Sequence, residues 1–400
     1  MKMVGAPLVV WAALLLALTS RAYVTRPNVT ELTTSNLDFA MNLYRQIASH
    51  HDENIFFSPL CMSTSFVTLS MGAGGYTREQ ILRGLNLATL DQDGSGLIPA
   101  LFQELLGNVT QNKELQLEQG FALFVHDDFE VSTTFSDQIK DVFNADVMNV
   151  NFTNHALSKA TINEYIKHKT RNKITEALSK IEPMTELILI NTIFFQGMWE
   201  FPFDVKSTVN DRFYVDKYNI VQVPMMFTEA KIYTTRDTNL KLSIAKLPYV
   251  GGAAMLILLP DKNVDYTTID DHINGKVFLR WLKQLTKRRT ELIMPRFKME
   301  QSYPMHKILP DLGIINVFTS AANLSGLSAE HGLMVSEVQH KAMIEVDEMG
   351  TTAAAVTVMG ITPYSLPTRF AVDRPFFFFI YHEVTKTVLF MGRVINPTKI

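Results

Sequence analysis

Glu345-Val-Asp-Glu-Met-Gly350-Thr-Thr-Ala-Ala-Ala355-Val-Thr-Val-Met-Gly360-Ile-Thr-Pro-Tyr-Ser365-Leu-Pro367 reads neither as core nor as an ordinary loop. Gly350 to Val358 is small or β-branched and carries no charge, while Gly360 to Pro367 is broken by glycine and two prolines. About 20 residues without obvious structure are uncommon inside a compact domain and are usually functional. Written as a strand, Thr351, Ala353, Ala355, Thr357 and Met359 share one face. That face is small at its leading end, so it could enter a gap between two strands with little steric resistance. Ten or so new pairings at roughly 0.5–1.5 kcal/mol each, with the burial that accompanies them, would release on the order of 10–20 kcal/mol. A flexible surface loop with an apolar bias is an equally open reading of the pattern alone.

The flanks of this stretch are strand-like. Lys341 to Val346 alternates, Phe376 to Tyr381 and Val388 to Val394 bracket the turn-prone Glu383–Lys386, and Glu291 to Lys298 alternates. Leu242 to Pro248 and Ala253 to Leu259 form a hairpin pattern around Tyr249–Gly252, and Leu187 to Phe195 is apolar enough for a strand buried on both faces. Helical periodicity lies earlier: Asn36 to Ser49, a start at Ser58-Pro59 continuing through Met62 to Gly72, and Ile98 to Val109. Thr77 to Leu85, with Thr77 as cap and Gln80 three residues on, is a further helix, as are Ala156 to Thr170 and Ile174 to Leu178. Helices early and strands late give an α+β class rather than alternating βαβ. No Pro/Gly-rich linker divides the chain, so a single domain over residues 36–400 follows.

At the start, Lys2, an apolar run from Val4 to Leu18 and small residues around Ser20 and Ala22 read as a secretory signal peptide over residues 1–22. A polar, flexible segment over 23–35 is expected to follow. Asn28, Asn108, Asn151 and Asn323 head N-x-S/T sequons, which beside a signal peptide points to a secreted, extracellular glycoprotein. The single cysteine, Cys61, sits in an apolar stretch and reads as a buried inert thiol. With 400 residues, 47% apolar content and net charge −3, the chain can build a large core, and nothing global invites nucleic acid. There is no G-x-S-x-G, H-E-x-x-H or P-loop, and His382-Glu383-Val-Thr-Lys386 misses the zinc pattern at its last residue. The reading is therefore a non-enzyme with no metal and no cofactor.

Three segments together resemble the serpin family, over roughly Leu37 to Pro397: Asn54-Ile-Phe-Phe-Ser-Pro-Leu60, Ile190-Asn-Thr-Ile-Phe-Phe-Gln-Gly-Met-Trp-Glu-Phe-Pro202, and Asp373-Arg-Pro-Phe-Phe-Phe-Phe-Ile380 with Phe390-Met-Gly-Arg-Val-Ile-Asn-Pro397. The resemblance implies about nine helices around three β-sheets, with an exposed reactive-centre loop at about 348–367. It implies inhibition of serine proteases by a bait bond and insertion of the severed loop into the main sheet, a mechanism long attributed to this fold. The family's spacing, counted from the hinge residue Glu348, lands on Tyr364, so Tyr364–Ser365 is the implied bait. Gly350, Thr351, Thr352, Ala353, Ala354 and Ala355 match the hinge. Ser58, Asn191 and His340 match the polar cluster that controls sheet opening, Trp199 matches the residue under the insertion site, and Cys61 stands where many members carry serine.

Tyr-Ser-Leu-Pro and the Val372-Asp-Arg-Pro that follows resemble the branch of the family that acts with protein Z. That branch implies coagulation factor Xa and factor XIa as targets, and Asp216, Tyr218 and Asp271 as protein Z contacts. Heparin is a weaker expectation: the helix Ile98 to Val109 has no basic residue, and Lys283, Lys287, Arg288 and Arg289 form the one compact basic cluster. A non-inhibitory member that carries a hormone or assists folding is the alternative.

Overall fold

The computed structural model describes residues 27–91, 96–110, 114–350 and 367–400. Its helices are α1 (Val29–His50), α2 (Pro59–Gly72), α3 (Gly75–Gly84), α4 (Leu97–Thr110), α5 (Thr133–Phe143), α6 (His155–Lys169), α7 (Thr267–Asp270) and α8 (Gly275–Gln284). The strands are β1 (Ile55–Phe57), β2 (Gln116–His126), β3 (Asp146–Val150), β4 (Leu187–Gln196), β5 (Val209–Tyr214), β6 (Ile220–Asp237), β7 (Leu242–Pro248), β8 (Ala253–Pro260), β9 (Thr286–Pro295), β10 (Phe297–Pro304), β11 (Glu337–Val346), β12 (Thr368–Ala371), β13 (Phe376–His382) and β14 (Val388–Val394).

Two hydrogen-bonded sheets result. The first runs β10-β11-β4-β2-β3; the second runs β1-β14-β13-β8-β7-β6-β9-β12, with β5 also on β6. The third expected sheet is continuous with the second, because the 18-residue β6 pairs with β5 and β9 over its length and turns to meet β7 at Tyr233–Asp237. Helix α2 is buried on nearly every side, opened by Ser58 as cap and Pro59 at its first turn. It packs against β4 of the first sheet and β14 of the second.

Three expectations are corrected. The first helix begins at Val29, not Asn36, because Asn28 caps it through bonds from the Thr30 and Glu31 amides (2.9 and 3.2 Å) and Leu32 is completely buried. The segment 23–35, expected to be flexible, is thus helix from Val29 onward. Thr77 does not cap α3, which starts two residues earlier at Gly75. Its hydroxyl instead receives the amide of Asn323 and the side chain of Asn316, and Gln80 receives the amides of Ile315 and Asn316. Ile174 to Leu178 is not a helix. Arg171 and Asn172 take positive φ (47° and 62°) at the end of α6, and Asn163 supplies the hydrogen bonds to Ala177 and Leu178 that a helix would have supplied. The apolar side chains there are buried all the same, lying as an irregular flap across the first sheet.

Candidate functional site

The quoted stretch enters the structure at one end and leaves it at the other. β11 runs to Val346, residues 347–350 follow it, and β12 resumes at Thr368. Thr351, Thr352, Ala353, Ala354, Ala355, Tyr364 and Ser365 lie outside the described residues.

The near end is held tightly. The Glu348 carboxylate accepts from the Thr208 hydroxyl (2.6 Å) and pairs with Arg296. Burial pushes this carboxyl upward, but the bonds from Arg296 and Thr208 outweigh it and hold it below its ordinary value. Around it, the Phe203 amide donates to the Glu348 carbonyl (2.8 Å), the Trp199 amide to Met349 (3.0 Å) and the Trp199 indole N–H to Asp347 (3.0 Å). Trp199 is stacked on Tyr249 at 4.2 Å between ring centres. Gly350 has φ +125°, and a Cβ there would sit 2.3 Å from the Gly197 carbonyl oxygen, so no other residue fits without moving backbone.

Below this anchor lies a seam. β11 and β4 are parallel neighbours in register from Glu337↔Ile188 to Met343↔Phe194, whereas each pairs antiparallel with its other partner, β10 or β2. The backbone geometry therefore admits one more strand, antiparallel to both. It would exchange one parallel ladder for two antiparallel ones, and parallel pairing is slightly the weaker per residue.

Ser58, Asn191 and His340 meet beneath the seam, with Asn191 and His340 directly opposite each other across it. The Asn191 amide nitrogen donates to the Cys61 carbonyl (2.8 Å) and to the Ser65 hydroxyl. The Ser58 amide donates to His340 Nε2 (3.0 Å), and its hydroxyl donates to the Leu389 carbonyl (2.6 Å). Asn191 Oδ1 and His340 Nδ1 make no hydrogen bond of good geometry although both are buried. Burial pushes the Cys61 thiol up to about 12, which fits an inert packing role. Ser65 was not expected in this cluster. It lies seven residues beyond Ser58, two helical turns along the same face, and that spacing is the signal that could have found it.

His340 gives a pH prediction. Burial holds its imidazole at about 3, against 6.5 for an ordinary histidine, with the Asn191 backbone offsetting only part of this. Between those values the unfolded chain binds the proton and the native chain does not. Its contribution to native stability is therefore complete above pH 6.5 and falls by about 1.4 kcal/mol per pH unit below it. His51, His306 and His382 are also lowered, chiefly by burial, and act with the same sign. Unfolding midpoints taken from pH 7.5 down to 4.5 should fall more steeply for wild type than for His340→Gln; equal slopes would remove His340 from the acid response.

Asp216 and Tyr218 lie on the turn joining β5 to β6. The Asp216 carboxylate receives the amides of Tyr218 (2.7 Å) and Asn219 (2.8 Å), and this clasp leaves Tyr218 93% exposed. Asp271 is exposed just after α7, beside a buried Asp270 that pairs with Arg393. Asn28, Asn108, Asn151 and Asn323 are all exposed. In the basic cluster Arg289 is paired with Glu229, and Lys287 lies over the Phe201 and Tyr233 rings. Among the described residues no group of histidine, cysteine or carboxylate side chains is arranged to hold a metal, and no helix is long and apolar enough to cross a membrane.

Comparison with known proteins agrees with this geometry. The family model described as Serpin (serine protease inhibitor) matches residues 34–397. Protein Z-dependent protease inhibitor of Homo sapiens is 41% identical over 92% of this chain and 83% of its own. The crystal structure of mouse protein Z-dependent protease inhibitor superposes with a TM-score of 0.87 at 38% identity, covering 92% of this chain and 98% of that one. Human thyroxine-binding globulin bound to its hormone superposes equally well, with a TM-score of 0.88 at 31% identity over 92% of this chain and 99% of that one.

Proposed function

Because the chain belongs to the serpin family of serine protease inhibitors, we propose that it is a secreted, glycosylated suicide substrate whose bait is Tyr364–Ser365 and whose trap is the seam between β11 and β4. A protease serine oxygen attacks the Tyr364 carbonyl carbon, the Tyr364–Ser365 bond breaks, and the new amine leaves on Ser365. Tyr364 stays esterified to the protease. The severed segment from Thr351 onward then enters the seam while Glu348 stays pinned by Arg296 and Thr208. It pulls the protease away before water can cleave the ester. The native state is held by a barrier above a lower state.

The observation that carries this reading is the parallel seam lying directly beneath the point where the chain leaves the sheet at Gly350. The likeness to protein Z-dependent inhibitors supports factor Xa, with protein Z, calcium and phospholipid, and factor XIa as targets in blood coagulation. Incubation with factor Xa, factor XIa and chymotrypsin tests it. The expected product is a complex that survives boiling in detergent, with the new amino terminus at Ser365. Clean cleavage without a complex supports the second reading, a hormone carrier, which the likeness to thyroxine-binding globulin favours.

Asp216, Tyr218 and Asp271 are assigned to protein Z, with Tyr218 as the anchor because a rigidly presented, exposed aromatic suits an interface centre. Tyr218→Ala is expected to weaken protein Z binding by about 2 kcal/mol, roughly 30-fold. Trapping of chymotrypsin without protein Z should be unchanged. Unaltered protein Z affinity in a binding titration would remove the assignment. Heparin is assigned no role, since Arg289 and Lys287 of the basic cluster are already engaged. Cleavage of a signal peptide over residues 1–22 completes the proposal.

A further inference from the structure

The acidic residue assigned to protein Z next to α7 stands on a very short element. α7 has four residues, Thr267–Asp270, and Asp271 closes it. A single helical turn has almost no stability of its own, because nucleation fixes several residues for one hydrogen bond. The direction in which Asp271 is presented is therefore set by what α7 is fastened to.

It is fastened to Arg393 of β14. That residue lies inside the second sheet, in register with Ile55 of β1 on one side and Phe377 of β13 on the other. Its side chain is 3% exposed; one nitrogen, Nη1, donates to the Asp270 carboxylate (2.7 Å), and the guanidinium lies 5.5 Å from the centre of the Tyr266 ring. Tyr266 precedes α7 and Asp270 ends it, so one side chain grips both ends of the turn. The guanidinium is itself fixed, since Nη2 donates to the His51 carbonyl (2.7 Å). The other oxygen of Asp270 accepts from the Tyr44 hydroxyl of α1 (2.6 Å). Ile269 and Ile273 are buried and press α7 onto the core, but apolar burial is non-directional. The charge-assisted bonds on Asp270 have a required geometry, and they fix how the turn is rotated.

We propose that Arg393 is a positioning residue for protein Z recognition: through Asp270 it sets the orientation of the turn from which Asp271 meets the partner. The proposal rests on the assignment of Asp271 to protein Z. Arg393 is buried beneath the turn and acts only through it.

The test is a double-mutant cycle read as affinity for protein Z in a binding titration. Asp271→Ala is expected to bind about tenfold more weakly than wild type, and Arg393→Met weaker by a similar factor. The double variant should lose no more than Asp271→Ala alone, because a residue acting through Asp271 is silent once that carboxylate is gone. A general loosening of the fold would instead multiply the two losses. Arg393→Lys keeps a cation against Asp270 and should recover part of the affinity. Trapping of chymotrypsin without protein Z should be unchanged throughout. If Arg393→Met does not fold, Tyr44→Phe takes its place in the cycle; it removes one of the two bonds on Asp270 and should cost about threefold. Losses that multiply, or wild-type affinity in the Arg393 or Tyr44 variant beside a weakened Asp271→Ala, overturn the positioning role and leave the protein Z assignment standing. Wild-type affinity in Asp271→Ala overturns both.

Discussion

Glu348→Lys is expected to unfold faster than wild type and to self-associate on mild heating. The substitution removes the acceptor that holds Arg296 and Thr208 and puts a second cation against Arg296 in a site where the native carboxylate is almost wholly buried. Breaking a buried ion pair costs about 3–5 kcal/mol, and the half-exposed Arg296 places this case at about 2–4 kcal/mol. The loss falls where the Phe203 and Trp199 amides hold the main chain of 348 and 349, so the upper end of the seam loosens first. Unfolding rates and size-exclusion profiles of wild type, Glu348→Gln and Glu348→Lys should rank in that order of increasing damage. A lysine variant that unfolds at the wild-type rate and stays monomeric would show that the anchor has no such role.

The second large effect is expected at the hinge. Ala353→Pro removes an amide donor and fixes φ, so a ladder bond is lost and its acceptor left unpaired, at a cost of about 1–3 kcal/mol where a strand must form. If insertion slows by the corresponding factor of roughly 5 to 150, hydrolysis of the acyl-enzyme overtakes it. The variant should still be cut at Tyr364–Ser365 but should release active protease, turning an inhibitor into a substrate. Stoichiometry measured against chymotrypsin reads this directly. Wild-type stoichiometry with a stable complex would show that residue 353 does not enter a sheet.

Both effects join features that differ in how legible they are from sequence. The mostly apolar run of β4 and the small, uncharged Gly350–Val358 stand out because strand burial and strand entry each demand a local composition. Ser58 and Pro59 mark the start of α2 by local rules alone. The anchor is of another kind. Glu348 meets Arg296 from 52 residues away and Thr208 from 140, and no local pattern pairs them. The flap at 174–178 misled because helical spacing records which side chains are buried, not how the backbone bonds are made; Asn163 makes them there. Thr77 misled for a similar reason, its capping chemistry being spent on a distant segment, Asn316–Asn323.

Trapping by insertion requires the intact fold to be higher in free energy than the form with the segment inserted. The direct measurement is to cut the loop once, separate the cleaved protein, and compare its thermal unfolding with that of the intact protein in the same buffer. Insertion predicts that the cleaved form stays folded at temperatures where the intact form has melted. Coincident melting curves, or a cleaved form that melts first, would contradict it.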